Sequence, residues 1–126
     1  MATVAFCGLG VMGGPMARHL AAAGHDVTVY SRTAVKALAW VADHGGRAEP
    51  TPREAAEGAE FVMMCVGNDD DVRSGALGDD GILAGLAAGS VLVDHTTASA
   101  DVAREVAAAC AARGVGFVDA PVSGGQ

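Results

Sequence analysis

Short apolar runs alternate along this chain with stretches in which apolar residues recur every third or fourth position. The runs fall at 3–7, 26–30, 60–66, 90–94 and 115–119, with a very short one at 47–49, and each reads as a strand. Helical spacing predicts a helix over 11–23, where Met12, Met16 and Leu20 share a face and Gly24 marks the stop. A second helix is predicted over 33–44, with Thr33 as N-cap and Gly45-Gly46 as the stop. Thr51-Pro52-Arg53-Glu54 reads as a cap followed by proline at the first helical position. Further helices are expected over 68–77, opened by Asn68 or Asp69, and over 99–113, where Val102, Val106 and Ala109 face the core and Gly114 ends the helix. Strands alternating with helices favour a parallel sheet joined by right-handed crossovers. The strands are nearly uninterrupted apolar runs, as expected where helices cover both faces. The predicted class is therefore α/β, a doubly wound parallel sheet of about six strands, without solenoid repeats or low-complexity linkers.

Composition narrows this picture. The chain is 126 residues long and 51% hydrophobic, enough for one domain, residues 1–126, with a real core. Aromatics make up only 4%, so that core must be built from Ala, Val, Leu and Met. A net charge of −7 argues against a nucleic-acid surface, which needs a basic patch. Cys7, Cys65 and Cys110 lack metal-ligand spacing and read as small buried hydrophobes in a reducing compartment, so a cytoplasmic location is expected. The start lacks a basic leader, and no apolar run approaches the ~20 residues of a membrane span. His19, His25 and His44 read as surface or packing residues, and Asp69-Asp70-Asp71 as a solvated helix start rather than a metal site. Gln126 directly follows the loop Ser123-Gly124-Gly125, which leads to the expectation of a longer polypeptide with a further domain.

The first candidate chemistry is the turn Gly8-Leu9-Gly10-Val11-Met12-Gly13. G-x-G-x-x-G alone is weak evidence in a chain with 18 glycines. Its place gives it weight, because it follows a strand, opens a helix and precedes a second strand at dinucleotide-binding spacing. Gly8 allows the tight turn, Gly10 lets backbone approach a pyrophosphate, and Gly13 lets helix and strand pack closely. Free N–H groups at the helix start face the anion. The fold expected is thus the Rossmann type, with a nicotinamide dinucleotide as cofactor. Domains of this kind that take NAD usually end the second strand with Asp or Glu, which bonds the ribose 2′-hydroxyl. Here that segment is Tyr30-Ser31-Arg32-Thr33, without a carboxylate. Arg32 can pair with a 2′-phosphate, and Ser31 and Thr33 can donate to it, so NADP is favoured over NAD.

Several segments together resemble the β-hydroxyacid dehydrogenase family, which includes 3-hydroxyisobutyrate dehydrogenase and tartronate semialdehyde reductase. They are the stretch from Gly8 to Ala17; Tyr30-Ser31-Arg32-Thr33; Met64-Cys65-Val66-Gly67-Asn68-Asp69 followed by Gly81-Ile82-Leu83; Asp94-His95-Thr96-Thr97; and Asp119-Ala120-Pro121-Val122-Ser123-Gly124-Gly125. The last is the most specific. The resemblance implies hydride transfer between the nicotinamide and a small 3-hydroxyacid or semialdehyde, that is, a small carboxylic-acid substrate. It implies that Cys65, Val66 and Gly67 pass beside the adenosine and its ribose. Thr96 and Thr97 would lie near the nicotinamide ribose, and Ser123, Gly124 and Gly125 would bind substrate. His95, where the family often has Ser, could tune polarity there without being catalytic.

The resemblance further implies that the general acid/base is a lysine beyond Gln126, so no catalytic residue is assigned within these residues. Lys36, the single lysine here, reads as a solvated helix residue. A helical C-terminal domain that completes the pocket and builds a homo-oligomer is implied as well. Two other readings stay open: an imine reductase or reductive aminase, and a dinucleotide-binding module without catalysis.

Overall fold

The computed structural model describes residues 2–8, 13–96 and 98–120. Six strands form one parallel sheet in the order β3-β2-β1-β4-β5-β6. The strands are β1 (Thr3–Cys7), β2 (Asp26–Tyr30), β3 (Arg47–Ala48), β4 (Phe61–Met64), β5 (Val91–Asp94) and β6 (Gly116–Asp119). The helices are α1 (Gly13–Ala22), α2 (Ala34–His44), α3 (Pro52–Ala56), α4 (Asp69–Leu77), α5 (Ile82–Gly85) and α6 (Ala100–Ala112). This strand order is that of the Rossmann fold, and it reverses direction between β1 and β4.

Register assigns the side chains to two faces. Phe6, Val29 and Met63 stand side by side on one face, while Ala5, Thr28, Val62, Leu92 and Phe117 line the other. The first face carries a core of Phe6, Val27 and Val29 against Ala17, Ala37 and Trp40, with Met16 and Leu20 packed on it as helical spacing predicts. The second face carries the larger core, in which Val62, Met64 and Leu92 meet Val72, Ile82, Val102, Val106 and Cys110. Small residues let these helices come close: Ala5, Ala17, Ala56 and Ala76 are fully buried. Helices α1 and α2 lie over the β1–β2 side of the first face, and among the described residues nothing covers its β4–β6 side. Phe61 and Val118 are consequently exposed, at 39% and 47%.

Several local details differ from the sequence-based expectation, besides β5 and β6 beginning one residue late, at Val91 and Gly116. Strand β4 is four residues long rather than seven, because Cys65 and Val66 already turn out of the sheet toward the loop before α4. Strand β3 ends at Ala48, one residue early, although the Glu49 N–H still donates to the Val29 carbonyl at 3.0 Å. Helix α5 was not expected; four residues are too few to show a helical period, yet Ile82 and Leu83 insert into the larger core. On α6 the fully buried position after Val106 is Cys110, and Ala109 is only partly buried.

Candidate cofactor site

The strands' C-terminal ends bring Gly8, Ser31, Cys65, His95 and Ala120 to one edge of the sheet, where open α/β folds bind ligands. Gly8 closes β1 with φ of +105°, and its N–H donates to the Tyr30 carbonyl at 2.9 Å. A Cβ on Gly8 would stand 2.0 Å from the Cys65 carbonyl oxygen. The first glycine of the motif is therefore demanded by backbone crossing backbone at the β1–β4 switch. Helix α1 begins at Gly13. The remaining motif residues Leu9, Gly10, Val11 and Met12 lie outside the described residues, as do Thr97, Ser123, Gly124 and Gly125.

At the end of β2, Ser31, Arg32 and Thr33 turn into α2. Thr33 occupies the N-cap position without a side-chain cap bond; instead its N–H donates to Ser31 Oγ at 3.2 Å. The Arg32 side chain is 77% exposed, and its guanidinium donates to a carboxylate oxygen of Asp71. Asp71 belongs to the first turn of α4, 39 residues away in sequence. The second strand lacks a terminal carboxylate, as its sequence says, but the fold supplies one from another element. Sequence reasoning missed this residue. The signal available was topological: β2 and β4 flank β1, so the loops leaving their ends rise side by side.

The rim of β4 and β5 is organised by side chains. Asp94 is 2% exposed and accepts from the Thr96 N–H at 2.9 Å. The Thr96 hydroxyl, also buried, accepts from the Val66 N–H at 3.0 Å. Both loops are thus tied to one buried carboxylate. Burial raises the Asp94 carboxyl above its ordinary value, opposed by the hydrogen bonds from Thr96. His95 Nδ1 lies 3.0 Å from the Ala120 carbonyl oxygen, and the His95 N–H donates to Met64 O, so this residue straps the ends of β4, β5 and β6 together. Asn68 caps α4 by accepting from the Asp71 N–H at 2.9 Å. Asp69 Oδ1 accepts from the Ser99 N–H at 2.8 Å, linking α4 to the start of α6. The Asp69-Asp70-Asp71 run is therefore not merely solvated: two of its three carboxylates join other elements.

Cys65 is half-buried beside this rim, and burial followed by the Asp94 charge raises its thiol pKa. Burial pushes the Cys7 thiol up to about 12. Neither thiol offers the thiolate that a nucleophile needs. Lys36 is exposed in the first turn of α2, on the β2 side of the site.

A doubly wound sheet with a glycine crossing at its switch point defines a dinucleotide-binding domain. The chain matches, over residues 3–126, the family described as the NAD binding domain of 6-phosphogluconate dehydrogenase. It is 61% identical over 126 residues to an uncharacterized oxidoreductase of Shewanella frigidimarina, covering all of this chain and 43% of that protein. It is 43% identical over 125 residues to 3-hydroxyisobutyrate dehydrogenase of Pseudomonas aeruginosa, covering 99% of this chain and 42% of that enzyme. The structure of Mycobacterium tuberculosis 3-hydroxyisobutyrate dehydrogenase with L-serine superposes with a TM-score of 0.87 at 35% identity, covering 98% of this chain and 41% of that one. Two further solved structures carry different cofactors. Psf3 in complex with NADP+ and 2-OPP matches at TM-score 0.86 and 31% identity, over 97% of this chain and 43% of that one. A Myxococcus stipitatus imine reductase variant with NAD+ matches at 0.79 and 25%, over 93% and 39%. The chain belongs to the β-hydroxyacid dehydrogenase family, as its N-terminal NAD(P)-binding domain. It spans about two fifths of the length of these two curated relatives.

Proposed function

We infer that this chain is the cofactor half of an NADP-dependent oxidoreductase that moves a hydride between NADP(H) and a small 3-hydroxyacid or its semialdehyde. The observation that carries the cofactor choice is Arg32, exposed at the C-terminal end of β2, where this fold presents the adenosine ribose. The donor set fits a 2′-phosphate: a forked guanidinium, the Ser31 hydroxyl and the Thr33 hydroxyl stand on three consecutive residues. The glycine turn would carry the pyrophosphate on its backbone N–H groups. Cys65, Val66 and Gly67 would run beside the adenosine, and Thr96 and Thr97 beside the nicotinamide ribose. Ser123, Gly124 and Gly125 would take the substrate carboxylate or hydroxyl. When bound, the nicotinamide supplies the hydride chemistry, and the protein's part is to orient it. The substrate class rests on relatives named 3-hydroxyisobutyrate dehydrogenase.

The test has two arms. Arg32→Asp should invert the ratio of NADP to NAD affinity measured by calorimetry; unchanged NADP affinity discards the cofactor reading. Turnover of 3-hydroxyisobutyrate-type acids with NADP by the full gene product supports the substrate class. Turnover of cyclic imines alone moves the protein to the imine reductases, a reading supported by the structural match at lower identity.

A further inference from the structure

Arg32, the proposed 2′-phosphate partner, is engaged by a neighbouring acid. The Arg32 guanidinium donates to Asp71, so an anion at the ribose 2′ position meets a carboxylate as well as an arginine. The two partners are held differently. Asp71 is the fixed one. Its side chain is 21% exposed, its backbone N–H is bound by the Asn68 cap, and a Cβ on Gly67 would stand 3.0 Å from its Oδ2. Arg32 is the free one, 77% exposed on a loop between β2 and α2.

A pair this exposed is weak, so a phosphate dianion can draw the guanidinium away. The carboxylate stays behind and repels the phosphate. A ribose 2′-hydroxyl has the opposite relation to it, because it can donate to Asp71. Carboxylates at the end of the second strand give NAD-binding domains that bond, and here an acid from α4 occupies the same neighbourhood.

We propose that Asp71 is a cofactor-discriminating residue that opposes Arg32 and narrows the preference for the 2′-phosphorylated dinucleotide. The proposal rests on the reading of Arg32 above. Removing the charge should widen the preference by a factor limited by the strength of an exposed ion pair, about fivefold.

The test measures the dissociation constants of NADP+ and NAD+ for the full chain as wild type, Asp71→Asn, Asp71→Glu and Arg32→Gln. Asp71→Asn should raise the NADP-to-NAD affinity ratio about fivefold. Asp71→Glu keeps the charge, so its ratio should stay near that of the wild type. An unchanged ratio in Asp71→Asn overturns the proposal, and so does an equal loss of affinity for both cofactors, which would mark a merely structural role in α4. Arg32→Gln separates the two claims. If it lowers the ratio while Asp71→Asn leaves it alone, the Arg32 reading stands and the Asp71 proposal falls. If Arg32→Gln also leaves the ratio alone, both fall together.

Discussion

The two halves of the sheet's C-terminal rim are built on opposite principles. On the β1–β2 side the exit of β1 is set by backbone: Gly8 N–H to Tyr30 O, and a glycine so close to Cys65 O that no side chain fits between. On the β4–β5 side the loops hang from side chains, with Asp94 holding Thr96 and Thr96 holding Val66, while Asn68 and Ser99 cap the helices that follow. The first side fails when atoms are added, and the second when atoms are removed. This follows from what each half must do. On the proposed cofactor reading, the glycine turn would leave room for a pyrophosphate, whereas the opposite loops would be fixed in place to form a wall for the adenosine and ribose.

The largest effect expected is at Gly8. Gly8→Ala forces a Cβ to 2.0 Å from the Cys65 carbonyl at a φ of +105°, and both clash and conformation oppose it. The loss should be about 4 kcal/mol or more by urea denaturation, enough to leave much of the protein unfolded. Gly24→Ala is the control. Its φ of +93° is equally unfavourable for alanine, but nothing lies within 4 Å of the added Cβ. It should cost only about 1–2 kcal/mol. Equal losses at the two sites would remove the close crossing as the reason for Gly8.

The difference between the halves also explains what could be read from the sequence. The six strands, five of the six helices and the glycine at the end of β1 were legible because each depends on local pattern: apolar runs, a cap such as that of Thr51, and glycine at a strand end. Asn68 was legible as a cap for the same reason, and its Oδ1 does accept from the Asp71 N–H. Helix α5 was not, since four residues give no period. Asp71 was not, because its importance comes from a contact 39 residues away that only the folded chain makes. Thr96 was singled out by family resemblance for a place near the cofactor, but its hydroxyl's hold on the Val66 N–H is a long-range bond that no motif encodes.

The second half should respond to deletion. Asp94→Ala strips the acceptor from a buried N–H and should cost about 1–3 kcal/mol, and Thr96→Val, which orphans the Val66 N–H, should cost about as much or slightly less. Asp94→Asn keeps an acceptor oxygen and removes the buried charge. The Asp94 carboxyl is raised from 3.8, chiefly by burial, so the native state holds this proton more tightly than the unfolded chain. Its contribution to stability therefore declines as pH rises from the unfolded value through the raised native one. Asp94→Asn should match the wild type in acid and become the more stable of the two toward neutral pH. A wild type that gained on Asp94→Asn over that interval would contradict the assignment of burial as the dominant cause.

The smallest effects belong to the exposed end of the same loops. Ser99→Ala removes the side chain that accepts from the Val102 N–H at the start of α6 and should cost about 1 kcal/mol in thermal or urea unfolding. Asp69 offers the finer test because its sign is opposite to that of Asp94. Hydrogen bonds from Ser99 to the Asp69 carboxylate hold its pKa below 3.8. The native state thus favours the ionised form, and the stability it contributes is present above the unfolded value and is lost as pH falls through the lowered native one. Asp69→Asn should trail the wild type slightly near neutral pH and converge with it in acid, whereas Asp94→Asn leads near neutral pH and converges in acid. Urea midpoints of the three proteins across the acid range check both signs at once. Since Asp94 accepts from the Thr96 N–H and Asp69 from the Ser99 N–H, both on the connection from β5 to α6, a common sign would mean that the whole rim titrates as a unit, and that the buried carboxylate and the exposed one are not electrostatically distinct.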